Sequence, residues 1–281
     1  MSRLEEIISL MQHIPPFPKV ALRVMELLRD PDVQAGQLAE IIQYDPSITA
    51  NVIKMCNAAY FGLARKVSSL DEALVVLGNE TLKDMIIAGS SARFYKGEIG
   101  TGYMLEQGEL WKHSVAVAIM ARLLVRHIKK VDPGSAFTAG LLHDIGKRFL
   151  SSFVADDFAR IVRKVDREKC SFVTAEKDCL GISHAGLSAM ILEKWQFPPE
   201  QIEAVRRHHD PDALEREDLT ALIALSNGLV ISMGIGVGAD GLATELNGKG
   251  LKRFGLTPLN LESCMADLFM EMEGAGEILD L

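Results

Sequence analysis

The sequence predicts an all-α protein built from two packed helical units, on three grounds. Leu, Ala, Ile, Val and Met dominate an apolar content of 48%, while aromatic residues supply only 6%. That is the composition of helix bundles rather than of β-sandwiches. Apolar residues recur at helical spacing along almost the whole chain, and alternating strand-like runs are short or absent. Proline, glycine and capping residues then punctuate this pattern where helices would start and stop.

Taken in order, the first helix is expected over 2–12, before Pro15-Pro16-Phe17-Pro18. Proline has no N–H and its ring restrains the residue before it, so no helix runs through that segment. A second helix over 20–29 carries Val20, Val24, Leu27 and Leu28 on one stripe and stops at Asp30-Pro31-Asp32. Helices over 36–44 and 47–59 are separated by Asp45-Pro46, an N-cap followed by proline in the first helical position. Asn57 to Gly62 reads as a helix C-terminus with Gly62 in the left-handed conformation. Ser69-Leu70-Asp71-Glu72 is a capping box for a helix ending at Gly78, and a further helix spans 80–93.

Residues 1–95 are therefore expected to form an N-terminal helical bundle, with Lys96–Gly102 and its three glycines as linker. Helices resume at about 105–130, 135–152, 154–168, 172–180, 185–195, 199–208 and 217–233, within a second domain over 103–281. Six glycines between Gly234 and Gly250 mark a loop there.

A net charge of −8 and a pI near 5.4 argue against a protein that coats nucleic acid through a basic face. The four cysteines, Cys56, Cys170, Cys179 and Cys264, are scattered without a CxxC pair and read as reduced thiols. The acidic, amphipathic start is not a signal peptide. Ala221–Ala239 carries no charge, but Ser226, Asn227 and four glycines interrupt it, which suits a buried helix running into a loop rather than a membrane span. A soluble, cytoplasmic protein is the expectation.

Five histidines stand beside other polar groups in apolar surroundings. Glu109 and His113 are four apart, so they project from one helix face. His143-Asp144 follows the apolar run Ala139-Gly140-Leu141-Leu142, with Lys147 one turn later. His184 precedes an apolar helix, and His208-His209 end another. Burying unpaired ionisable groups costs several kcal/mol. A shared metal would offset that cost, and so would mutual hydrogen bonding. Imidazole and carboxylate donors suit iron or manganese, with zinc or nickel as alternatives. His13 and His127 have solvated settings and are set aside, as are Arg206 and Arg207, which suit a solvated helix face. Gly236-Val237-Gly238-Ala239-Asp240-Gly241 fits a dinucleotide fingerprint, yet it trails a helix in an all-helical chain, the wrong context for that motif.

Leu141-Leu142-His143-Asp144-Ile145-Gly146-Lys147 resembles the signature of the HD superfamily of metal-dependent phosphohydrolases. The wider pattern is similar to the HDOD branch, through Ile14 to Ala21, Ile41 to Thr49, Cys56 to Gly62, Trp111-Lys112-His113-Ser114 and Gly181-Ile182-Ser183-His184-Ala185. The likeness covers roughly residues 14 to 230. It implies an all-α fold, the second unit an HD-like helical core, and a regulatory role in bacterial signal transduction with signalling proteins as partners. It also implies a nucleotide or other phosphate-containing ligand.

The related HD-GYP phosphodiesterases imply a ligand set of Glu109, His113, His143, Asp144, His184, His208 and His209 for one or two divalent transition metals. Lys147 and Asp144 are the implied catalytic residues. The final ligand of the superfamily, an Asp, is matched here by Asn227, which offers a carbonyl oxygen without charge. The GYP loop is missing after His209. Three readings remain: a regulatory module holding metal, an active phosphohydrolase or phosphodiesterase on a nucleotide or cyclic nucleotide, and a metal-free protein-binding module.

Overall fold

The structure, a computed structural model, describes residues 2–28, 30, 33–57, 66–95, 101–128, 130–241 and 253–275. Among these, every regular element is a helix. The chain divides into two compact units, one of Met1–Pro15 with Phe94–Leu268 and the other of Pro16–Arg93 with Phe269–Leu281.

The second unit is built on α2 (Lys19–Leu27), α3 (Ala35–Ile42), α4 (Pro46–Cys56) and the first part of α5 (Leu70–Tyr95). Asp45 caps α4 by accepting from the Ser47 and Ile48 amides at 3.0 and 3.1 Å, with Pro46 in the first turn. Helix α5 is interrupted at Gly78, whose φ of 72° is left-handed, so the two helices expected on either side of that glycine meet at a kink. Residues 58–62, including the expected C-terminal Gly62, and 96–100 of the expected linker lie outside the described residues.

The first unit contains α1 (Arg3–Gln12), α6 (Glu109–Val125), α7 (Pro133–Leu142), α8 (Ile145–Glu168), α9 (Phe172–Leu180), α10 (His184–Lys194), α11 (Pro199–Arg207), α12 (Pro211–Arg216) and α13 (Asp218–Ser232). Charged side chains bind α1 to this unit across a long stretch of sequence. Lys194 Nζ donates to the Met11, Gln12 and Ile14 carbonyls at 2.7, 3.2 and 2.8 Å, supplying the acceptors a helix end leaves open with a donor. Arg3 meets Asp156 and Asp157 on α8, at 3.3 and 3.2 Å.

Helix α6 is buried along nearly its whole length and packs on α7 and α13. A helix that is apolar all round belongs inside a domain. It is shorter than the expected 105–130, because Gly108 precedes it with a φ of 86° and Arg126-His127 turn out of it.

The largest departure lies in α7 and α8. The expected helices over 135–152 and 154–168 are cut in a different place, at His143-Asp144. Asp132 caps α7 by accepting from the Ser135 amide at 2.7 Å, with Pro133 in the first turn. Asp144 leaves the helical region with φ −107° and ψ 8°. Nothing in the 152–154 stretch breaks a helix, so α8 runs unbroken to Glu168. A helix not expected from the sequence, α14 (Pro258–Gly274), follows a reciprocal turn in which the Thr257 amide donates to Asn260 Oδ1 at 2.9 Å and the Asn260 amide to Thr257 Oγ1 at 3.3 Å.

Candidate metal centre

The break between α7 and α8 turns His143 and Asp144 into the middle of the first unit, both fully buried. Gly146 lets the start of α8 press against the start of α10. A Cβ there would lie 2.2 Å from the His184 carbonyl oxygen, and the Gly146 amide donates to Ser188 Oγ at 2.8 Å. This close approach brings His184 Nε2 to 3.4 Å from Asp144 Oδ1.

Two donor groups result. His113, His143 and Asp144 form one, and His184, His208 and His209 the other, with ligand atoms in each within 4.8 Å of one another. Asp144 lies between them. Its Oδ2 is 3.2 Å from His143 Nε2 and 3.6 Å from His113 Nε2, and its Oδ1 is 3.4 Å from His184 Nε2 and 3.8 Å from His208 Nε2.

Each of the four surrounding imidazoles is held from behind through Nδ1. His143 bonds the Gly140 carbonyl at 2.7 Å, His208 the Val205 carbonyl at 2.7 Å and His113 the Ile235 carbonyl at 3.0 Å. His184 bonds Glu176 Oε2 at 2.7 Å. A carbonyl or carboxylate can only accept, so Nδ1 carries the proton in all four rings and Nε2 faces inward. His143 Nε2, His113 Nε2, His208 Nε2, Asp144 Oδ1 and Asn227 Oδ1 are buried without a hydrogen-bond partner. Orphaned buried acceptors are rare, and four of these five, all but Asn227 Oδ1, belong to the two donor groups. Inward lone pairs with the opposite nitrogen anchored are what metal-ligating histidines present.

Electrostatics point the same way. Burial lowers the His113 pKa to about 4 despite the nearby Asp144. Burial likewise pushes His208 and His209 well below the usual imidazole value. Burial alone would raise the Asp144 pKa, but His143 and Lys147 outweigh it and hold the carboxyl well below the carboxylate range. Neutral His113, His208 and His209 beside an ionised Asp144 match the protonation states that cations require. At His184, by contrast, burial would lower the pKa but Glu176 raises it.

Among the residues expected at the site, His113, His143, Asp144, His184, His208 and His209 come together in the two groups. Asn227, on α13, is buried with its carbonyl oxygen unpartnered. Glu109 opens α6, is partly exposed and pairs with Lys112 at 3.4 Å; neither donor group includes it. Lys147 is buried and pairs with Asp144 Oδ2 at 2.5 Å. Two acidic residues escaped the sequence reading. Glu176 is fully buried, accepts from the His184 amide at 3.0 Å as well as from its ring, and takes a short hydrogen bond from Tyr103. Asp240 is buried and meets Lys147 Nζ at 2.5 Å. Asp240 lay inside the glycine-rich fingerprint, and a carboxylate within an otherwise uncharged run was the available signal.

No helix among the described residues is long and apolar enough to cross a membrane. The sequence matches the HDOD domain over residues 14–211. The crystal structure of an HDOD domain protein of unknown function from Geobacter sulfurreducens superposes with a TM-score of 0.76 at 26% identity, over 99% of this chain and 98% of that one. A proposed signal transduction protein from Marinobacter aquaeolei VT8 superposes with a TM-score of 0.73 at 22% identity, over 95% of this chain and 60% of that one. A proposed phosphohydrolase from Shewanella amazonensis SB2B does so with a TM-score of 0.70 at 21% identity, over 97% and 96%. The chain spans less than half the length of the curated relatives it matches, 41% of one and 13% of another. With 198 consecutive residues matched and the all-helical fold shared throughout, the chain belongs to the HDOD domain family.

Proposed function

We propose that this chain is a regulatory signalling module whose buried His/Asp cluster holds one or two divalent transition metals, iron or manganese foremost, and presents them to a phosphate-containing ligand. The observation that carries the reading is the set of inward, unpartnered Nε2 and carboxylate atoms around Asp144, each imidazole fixed from behind. Asp144 would bridge the two groups, one oxygen toward each. His113 and His143 would ligate on one side, and His184, His208 and His209 on the other. Asn227 and Glu109 complete the proposed set as a neutral and a peripheral donor. Signalling proteins are the proposed partners.

The His184–His209 pair fits the same reading. Their Nε2 atoms are hydrogen-bonded at 3.1 Å, and both rings would be among the residues that hold a cation. Glu176 behind His184 supplies negative charge that burial would otherwise leave uncompensated.

A second reading, an active phosphohydrolase or phosphodiesterase on a nucleotide or cyclic nucleotide, is favoured by Lys147 standing beside Asp144. A bound metal supplies hydroxide near neutral pH by lowering the pKa of a coordinated water. Asp144 would orient the donors, and the Lys147 ammonium would neutralise a phosphate oxygen. Asn227 favours the regulatory reading over this one, because a neutral donor compensates less metal charge.

The test is elemental mass spectrometry on untagged protein purified without chelator and without oxygen, beside a His143→Ala/Asp144→Ala double variant. One or two equivalents of transition metal, lost in the variant, are expected. Protein that holds none and takes up none on reconstitution would leave a metal-free, partner-binding module.

A further inference from the structure

Lys147 is fully engaged. Its ammonium, buried beneath the start of α8, meets Asp144 on one side and Asp240 on the other, both at 2.5 Å, with the Tyr103 ring 5.8 Å away. Asp144 belongs to the proposed metal cluster. Asp240 does not, and its carboxylate arrives from a separate piece of chain that runs back over the site after α13.

That segment, residues 235–241, is anchored at both ends. The Ile235 carbonyl accepts from the His113 ring at 3.0 Å. Farther on, the Ala239 amide donates to the Tyr103 carbonyl at 2.8 Å, and the Gly241 amide closes a turn onto the Gly238 carbonyl at 3.1 Å. Between the anchors lie Gly236, with a φ of 58°, and Gly238. Both are packed too closely for a side chain. A Cβ on Gly238 would stand 2.6 Å from the Tyr103 carbonyl oxygen and 2.9 Å from Asp240 Oδ1. The glycine pair allows the Asp240 end to lift while Ile235 keeps its hold on His113.

Building on the proposed function, we infer that residues 235–241 form an internal strap whose Asp240 carboxylate occupies, on the Lys147 ammonium, the position that a phosphate oxygen of a ligand takes. A carboxylate and a phosphate oxygen offer the same charge-assisted acceptor to a lysine, so they compete for it directly. The ligand class is a phosphate monoester or inorganic phosphate. The chain as described is in the blocked state, and binding of the anion requires the strap to move aside. The acidic residue within the glycine-rich run is thus an intramolecular competitor, and the glycines are its hinge.

The test is isothermal titration of inorganic phosphate into the full-length chain as purified, with metal content measured on every sample. Asp240→Asn keeps the shape of the side chain and removes its charge. Gly238→Ala leaves the Lys147 and Asp240 side chains unsubstituted and forces the strap, Asp240 with it, away by steric contact. Both variants are expected to bind phosphate at least tenfold more tightly than the parent chain. Asp240→Asn/Lys147→Met is expected to lose that gain. Variants that retain the parent's helical circular dichroism and bind phosphate no more tightly would overturn the inference, as would a gain that survives Lys147→Met. A gain seen in samples without metal would uphold the strap while the metal reading falls. Metal present throughout without a gain would do the reverse.

Discussion

The two donor groups use different means to hold their imidazoles, and the contrast separates what the backbone supplies from what side chains must add. Around His113 and His143 the anchors are backbone carbonyls, of Ile235 and Gly140, and the carboxylate of the group is Asp144 itself. Around His184 the anchor is a buried carboxylate, Glu176, fixed in turn by Tyr103. The first group thus carries its negative charge among its own members, and the second keeps it one layer behind them. Asp144 is shared by both.

Asp144→Asn tests this sharing and should have the largest effect. Loss of its charge is expected to remove metal from both groups and, by leaving Lys147 with Asp240 alone, to cost about 3 kcal/mol or more of stability. Elemental analysis and denaturant unfolding would measure the two. Retention of one equivalent would mean that the His184 group stands by itself.

A smaller effect concerns acid. The folded His113 pKa is about 4 against an ordinary value of 6.5, so in metal-free protein the unfolded chain binds more protons between those values. Stability is therefore full above pH 6.5 and falls as pH drops toward 4, by up to about 3 kcal/mol. His208 and His209, pushed down by burial, add to the same limb. His184 has the opposite sign. Burial lowers its pKa, but Glu176 raises it further, so its contribution is present below pH 6.5 and is lost as pH rises through its folded value. Urea unfolding of chelated protein across this range, compared with His113→Asn, should show the acid limb flatten in the variant. An unchanged limb would place the titration elsewhere.

The smallest effect is reserved for Glu176→Gln, which keeps an acceptor oxygen for His184 and removes the charge. Metal binding in the His184 group should weaken by about 10- to 100-fold, the usual cost of losing such a supporting carboxylate, while the His113 group keeps its metal. Equal loss from both groups would erase the contrast drawn above.

The helical class and the six candidate donors that cluster in the fold were readable because their signals are local. Apolar spacing marks helices, and His143-Asp144 or His208-His209 announce themselves within a few residues. The cut between α7 and α8 was not readable, because the glycines on either side of it, Gly140 and Gly146, lie within the two helices. The cut falls instead at Asp144, packed among buried histidines. Glu176 and Asp240 were missed for a related reason. Glu176 sits on the polar-looking run Glu176-Lys177-Asp178, and only the tertiary fold turns the first of these inward. Helix α14 had a start signal in Thr257-Pro258-Leu259-Asn260, but its many apolar residues are spread around the helix rather than gathered in one stripe.

His143 and His208 share a placement whose consequence reaches beyond their own rings. Each is the C-cap of its helix, α7 and α11, and each ring donates to the carbonyl three residues earlier in the last turn. The closing carbonyls of a helix together carry about half an elementary negative charge, the far pole of the aligned peptide dipoles. Two such poles end beside Asp144. The starts of α8, whose N-cap is Asp144, and of α10, at His184, bring poles of the opposite sign to the same place. The four helix ends therefore largely offset one another, and the charge that favours a cation there is that of the Asp144 carboxylate.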